Sequence, residues 1–166
     1  KSERSPEVIL QLSGILKYTL YETGQATVDL EKEIEMISSY VDMYRHRVDA
    51  DRTDIKLVVN GDPGELLIAP MLLIPFIENS FKHGLPGGQD KSFIDIRMEI
   101  WENKLQFIIR NSCGESERLE LKQQKGIGIE NTRQRLELLY PGQHRIDIET
   151  LDKTFVVNLS LELKQQ

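Results

Sequence analysis

Asn79, Lys82 and His83 are the side chains whose spacing most suggests chemistry, because they stand three and four residues apart. On a helix, residues so spaced are neighbours, and all three can converge on one object beside it. A carboxamide oxygen is a hard ligand suited to magnesium, and a lysine ammonium is a point charge suited to phosphate. With Glu78 adjoining them, the group reads as half of a metal–nucleotide site. The plainer alternative is a buried helix whose polar flank simply meets solvent.

A second constellation lies far along the chain, in Lys125-Gly126-Ile127-Gly128-Ile129-Glu130-Asn131. Glycines permit close backbone approach, and the free amides at a helix start attract phosphate. A lone Gly-x-Gly is weak, since glycines also serve turns that bind nothing. Gly126 and Gly128 gain weight from the polar segment before them, Ser112 to Lys125, which is expected to be mobile, and from the helix expected after them.

Several elements must position these groups. Over Pro70 to Gly84, Leu72, Leu73, Phe76, Ile77 and Phe81 draw an apolar stripe along one face of a helix. Upstream, Ser5-Pro6-Glu7 has the chemistry of a helix start, and Thr23-Gly24 can end that helix near Glu22. A second helix follows Asp29, with Leu30, Ile34, Ile37, Val41, Tyr44 and Val48 spaced as in a coiled-coil seam. The two make a hairpin with more apolar face than it can bury alone, so its partner is the following domain or a second copy. The narrow, regular seam argues against both stripes merely capping the following domain.

Asp49 to Asp54 is a charged break, which divides the chain into a helical hairpin over 1–50 and a second domain over 51–166. Ile55 to Asn60 reads as a strand, and Leu85 to Asp90 as a loose connection. Phe93 to Trp101 with Lys104 to Asn111 form a hairpin around Glu102-Asn103, and His144 to Leu151 with Thr154 to Leu163 form another at Asp152-Lys153. Between them a helix carries Ile129, Thr132, Leu136 and Leu139 and stops at Tyr140-Pro141-Gly142. This order gives an α+β fold, with helices on one face of a mostly antiparallel sheet.

The 166 residues, 39% hydrophobic and 29% charged, are enough for a core. A net charge of -6 argues against a general nucleic-acid or anionic-membrane binder, so an anionic ligand must be held by local groups. The single cysteine, Cys113, excludes an internal disulfide and fits a reducing compartment. With no apolar run long enough to span a membrane and no initiator methionine, the expectation is a soluble piece of something longer. His46 and His144 are expected on the solvated surface, Cys113 in a loop, Trp101 and Phe107 in the core or on a sheet face. Arg133 and Arg135 are expected either to reach phosphates or to pair with Glu130 or Glu137.

Pro70 to Gly84 resembles the N box of sensor histidine kinases, in the LytS-like pattern Pro-x-x-x-x-Pro-x-x-Glu-Asn-x-x-x-His-Gly. Gly126 to Leu136 is similar to the G2 box of the same subgroup. The stretches Leu16 to Leu20 and Leu30 to Glu33, with Tyr40, Arg45 and Arg47, resemble the segment joining the phosphoacceptor helix to the ATPase domain. The resemblance implies a GHKL-type ATP-binding α/β sandwich, with Asn79 on magnesium, Lys82 and His83 near the phosphates or ribose, and Gly126 and Gly128 shaping the lid end. Glu78 matches the family's acid, which orients the acceptor or tunes the metal site. Where the family's G1 box has an aspartate accepting from the adenine amino group, strand parity places Asn111, which keeps the acceptor and loses the charge.

The activity so implied is transfer of the γ-phosphoryl of Mg-ATP to a histidine upstream of Lys1, for relay to a response regulator. A homodimer is expected in the full-length protein, working in the cytoplasm below an upstream membrane anchor. Two alternatives remain: a degenerate GHKL module that only dimerises or relays a signal, and a GHKL ATPase. The second is disfavoured because Pro75 stands where such an enzyme carries its base.

Overall fold

A computed structural model describes residues 5–85, 91–113 and 127–166. Helix α1 (Ser5–Tyr21), strand β1 (Val28–Asp29) and helix α2 (Leu30–Arg45) come first. Strands β2 (Thr53–Asn60) and β3 (Leu66–Ile68) lead to helix α3 (Ile74–Gly84), and the β4 (Ser92–Trp101) and β5 (Lys104–Ser112) hairpin follows. Helix α4 (Ile127–Leu139) precedes β6 (His144–Leu151), β7 (Thr154–Glu162) and β8 (Lys164–Gln165).

The main sheet has the order β2-β4-β5-β7-β6. Within it only β2 and β4 run parallel, in register from Thr53 opposite Ser92 to Asn60 opposite Glu99. The inward rows are apolar: Ile94, Ile96, Met98 and Ile100 on β4; Leu105, Phe107 and Ile109 on β5; Phe155, Val157, Leu159 and Leu161 on β7. The helices cover this face, while the other carries Lys56, Arg97, Glu99 and Arg110 towards water, the usual division of an antiparallel sheet with one packed face. The architecture is thus the expected α+β layer with a mixed, mostly antiparallel sheet. At the end of β2, a Cβ on Gly61 would lie 2.0 Å from the Ile100 carbonyl oxygen, and its φ is +95°, so glycine is required there.

A second sheet, β1-β3-β8, is made of strands too short to show periodicity in sequence. It ties Val28 to Ile68 and Leu66 to Gln165, bringing the start of α2 and the end of the chain to the segment before α3.

The two helices of the hairpin fare differently. Leu30, Met36, Ile37, Tyr40, Val41 and Met43 on α2 are buried in the core that the sheet and α3 share. The helix ends at Arg45, before Val48. So α2 takes the following domain as its partner, one of the two expected, and its face is wider than a seam because Met36, Tyr40 and Met43 join it. On α1, by contrast, Leu16, Leu20 and Tyr21 remain exposed, with Leu20 at 76%.

The central helix starts later than its sequence suggested. Pro70 to Leu73 are not helical, and Met71 adopts φ +57°. Pro75 is the reason: in a helix begun at Pro70 it would sit in the interior and clash with a preceding carbonyl, whereas here it lies in the first turn. Leu72 and Leu73 are still fully buried, as loop residues.

Three side chains also depart from expectation. His144 is not a solvated surface residue, since its Nδ1 lies 2.7 Å from the Tyr140 carbonyl oxygen and only 8% of its side chain is exposed. Cys113 lies just past the end of β5, in a loop as expected, but is buried there. Leu139 points outward, and Tyr140 takes its place in the core. Trp101, the last residue of β4, is 45% exposed, and Phe107 is in the core, within the expected core or sheet-face placement.

Candidate functional site

Helical phase divides the four groups on α3. Glu78 and Lys82 are exposed, and Asn79 and His83 form a half-buried row beside them. Glu78 is held from α2: the Tyr40 hydroxyl donates to its Oε1 at 3.3 Å. Tyr44 stacks on Phe81 with ring centroids 4.0 Å apart, so α2 braces the outer side of α3. Burial is the main cause that pushes the Tyr40 phenol well above its ordinary range, with Tyr44 and Glu78 adding to it. Tyr40 therefore stays a donor across the physiological range. The Asn79 amide nitrogen is buried without a hydrogen-bond partner.

At the C-terminal end of α3 the helix meets β5. A Cβ on Gly84 would lie 2.8 Å from Asn111 Cβ and 3.0 Å from its Nδ2, so only glycine lets the two elements approach this closely. The Ser112 hydroxyl pins the junction, donating to the Gly84 carbonyl at 3.2 Å and accepting from the Phe93 amide at 3.1 Å. Asn111 shares the inward face with Leu105, Phe107 and Ile109 and is fully buried. Its Nδ2 donates to the Ser112 carbonyl at 2.8 Å, which fixes the amide's orientation and leaves Oδ1 buried with no partner. An unpaired buried acceptor is costly, and a ligand donor would relieve it.

Helix α4 packs against α3, and its second half is anchored just before α3. Arg135 Nη2 donates to the Pro70 carbonyl at 2.7 Å, and the Ala69 amide donates to the Tyr140 hydroxyl at 2.8 Å. Arg135 thus serves the backbone rather than a neighbouring glutamate. Gly128 is the second residue of α4, exposed, with open space where a Cβ would be. Gly126 and the stretches Gly114 to Lys125 and Pro86 to Asp90 lie outside the described residues.

Glu33 escaped the sequence reading. It is fully buried on α2, where its Oε2 accepts from the Tyr18 hydroxyl on α1 and from the Met71 amide at 3.0 Å. Burial pushes its carboxyl above the ordinary range, against the pull of Tyr18, of the Met71 and Leu73 amides, and of Arg135. One signal was available: Glu33 is three residues after Leu30 and four before Ile37, inside the apolar stripe.

The residues present fit an adenine nucleotide. The orphaned Asn111 Oδ1 is an acceptor suited to an exocyclic amine, and the orphaned Asn79 nitrogen is a donor suited to a phosphate oxygen. Among the described residues no three His, Cys, Asp or Glu side chains gather to hold a metal. A magnesium ion here would take the oxygen of the Asn79 amide and draw its other ligands from phosphate and water, the usual pattern for that ion.

The histidine kinase family model matches residues 1–52. The sensor protein LytS of Oceanobacillus iheyensis is 26% identical over 96% of this chain and 29% of its own length. The chain is thus similar to LytS sensor proteins over nearly all of its length. The sensor histidine kinase/phosphatase LytS of Staphylococcus aureus strain Mu50 is likewise 26% identical, over 98% of the chain and 25% of its own length. The chain therefore spans between a quarter and a third of these relatives' length. Its fold is that of histidine kinase catalytic domains. The catalytic domain of the histidine kinase ThkA superposes with a TM-score of 0.57 at 14% identity, covering 84% of this chain and 97% of that one. The histidine kinase domain of the blue-light activated kinase EL346 from Erythrobacter litoralis gives 0.57 at 12% identity, covering 98% and 76%.

Proposed function

We propose that this chain is the ATP-binding portion of a sensor histidine kinase, transferring the γ-phosphoryl of Mg-ATP to a histidine outside this piece for relay to a response regulator. The observation that carries the proposal is the buried, unpartnered Asn111 Oδ1 at the end of β5, against Gly84 of the helix that bears Asn79, Lys82 and His83. With one Nδ2 hydrogen bound to the Ser112 carbonyl, the amide presents its unpartnered oxygen as an acceptor suited to an amino-bearing base such as adenine, without the family's negative charge.

In this arrangement Asn111 orients the base. Asn79 holds the magnesium or a phosphate oxygen, Lys82 and His83 reach the phosphates or ribose, and Gly128 leaves the start of α4 open to the phosphate end. Bound Mg-ATP supplies the transferable phosphoryl group and the charge neutralisation at it. The residues contribute mainly positioning, which is most of what phosphoryl transfer asks of a protein. Glu78, aligned by Tyr40, orients the incoming acceptor or tunes the metal site. Residues 1–50 act as the end of the dimerisation region and 51–166 as the nucleotide domain, in a homodimer on the cytoplasmic side, where ATP is present.

Titrating a fluorescent ATP analogue in the presence of magnesium should give saturable binding that Asn79→Ala abolishes; unchanged binding in that variant refutes the site. A degenerate module is the second possibility, favoured by the uncharged Asn111. Calorimetry with ATP and ADP at high protein concentration separates the two, since a silent titration points to the module. Autonomous hydrolysis is disfavoured, because Pro75 in the first turn of α3 offers no base.

A further inference from the structure

Ala69, Pro70 and Met71 form a three-residue junction that neighbouring elements hold from several sides. The Ala69 amide donates to Tyr140 just after α4, the Pro70 carbonyl accepts from Arg135 on α4, and the Met71 amide donates to Glu33 on α2. Glu33 in turn accepts from Tyr18 on α1, and the Thr19 hydroxyl lies 3.8 Å from the Met71 sulfur. Met71 sits at φ +57°, a conformation that costs a non-glycine residue energy and persists only where its surroundings impose it. Three residues later α3 begins, so whatever fixes Met71 fixes the origin of the helix that carries Asn79, Lys82 and His83.

Why a carboxyl stands there follows from its surroundings. A fully buried glutamate is rare unless it is bonded, and the hydrogen bonds from the Tyr18 hydroxyl and the Met71 amide converge on one oxygen, Oε2. A leucine at 33 would fill the space and continue the stripe of α2. What leucine cannot do is accept from a tyrosine on one side and a backbone amide on the other.

We infer that Glu33 is a positioning residue for the nucleotide site, linking Tyr18 of α1 to the Met71 amide and so fixing where α3 starts. This rests on the ATP-binding reading for its consequence and on the geometry alone for its mechanics. Displacement of α1 draws Tyr18 off Glu33 and frees Met71 to relax from its imposed conformation. The first turn of α3 then shifts, and Asn79 with it. Arg135 and Tyr140 bind the same junction to α4, whose start carries Gly128, so one three-residue segment sets the relative placement of both candidate phosphate-binding groups.

The test compares Tyr18→Phe, Glu33→Gln and Glu33→Leu by amide hydrogen exchange on the whole chain without nucleotide, and then by affinity for the fluorescent ATP analogue with magnesium. Tyr18→Phe and Glu33→Leu should speed exchange across Ala69 to Phe81 by about tenfold, the effect of losing one hydrogen bond, with the β5–β7 ladder unchanged. Both should weaken the analogue several-fold. Glu33→Gln keeps an oxygen for both donors and should restore both readouts to near the parent values. If Glu33→Leu does not fold, Tyr18→Phe decides alone, because it removes one hydroxyl and no volume from the core. Parent-like exchange over Ala69 to Phe81 in Tyr18→Phe, or a rise spread evenly over the chain, overturns the positioning role. A parent chain with no affinity for the analogue overturns the nucleotide reading instead, and exchange still decides the role of Glu33.

Discussion

Glu33 and Asp95 are both buried carboxyl groups, yet their surroundings push them in opposite directions. Glu33 lies under the hairpin among apolar neighbours, and burial raises its affinity for a proton against the pull of Tyr18, of the Met71 and Leu73 amides, and of Arg135. Asp95 lies on the open face of the sheet, where burial also acts to raise its pKa. There Arg110 at 2.6 Å and Arg97 at 3.3 Å outweigh it and hold the carboxyl below its ordinary 3.8. The difference teaches that partners, more than depth, decide what a carboxyl is for. Neutral donors from α1 and from the backbone make Glu33 a joint between elements, and two guanidiniums on neighbouring strands make Asp95 a clasp within one sheet.

The contrast can be tested first by deletion. Glu33→Ala should destabilise the chain by about 3 kcal/mol in thermal or urea unfolding, because it leaves a cavity and strands the Tyr18 hydroxyl and the Met71 amide. Asp95→Ala should cost under about 1 kcal/mol, since its partners are about half exposed and screened by water. Equal losses would break the comparison.

Acid and base titration of stability should sharpen it. Glu33 binds its proton more tightly folded than unfolded. Its share of stability is therefore complete below its ordinary value of 4.5 and declines as pH rises through the higher folded value. Asp95 does the reverse: its share is present above 3.8 and is lost as pH falls through the lower folded value. Unfolding followed from about pH 2 to 8 should show Glu33→Gln flattening the decline above 4.5, and Asp95→Asn flattening the acid limb. Tyr18, Arg135 and Tyr140 face Glu33, and of these the arginine charge works to reduce the slope. The smallest effect belongs to Arg97→Ala, which should change stability by less than about 0.5 kcal/mol with Arg110 still in place.

Much of the layer was legible because its signals are local. Alternation set the β4–β5 and β6–β7 hairpins, and Asp152 and Lys153, with φ of 43° and 64°, make the left-handed two-residue turn that such a hairpin favours. Parity along β5 put Asn111 on the inward face, because period two leaves no other choice. What stayed hidden depends on partners distant in sequence. Strands β1, β3 and β8 are only two or three residues long and are defined by their pairing. The spacing of Glu33 from Leu30 and Ile37 places it in the apolar stripe, but its partners Tyr18 and the Met71 amide come from elsewhere in the chain and only the fold brings them to it. The late start of α3 was readable from Pro75, whose ring forbids the longer helix.

The parallel ladder between β2 and β4 has a mechanical consequence. The helix bearing Asn79 belongs to the crossover that joins these neighbouring strands, so it is roped at both ends to adjacent rungs of one ladder. Its start is moored through the Ala69–Met71 junction and its end through Ser112 at Gly84, so regulation of the helix would act at these two moorings.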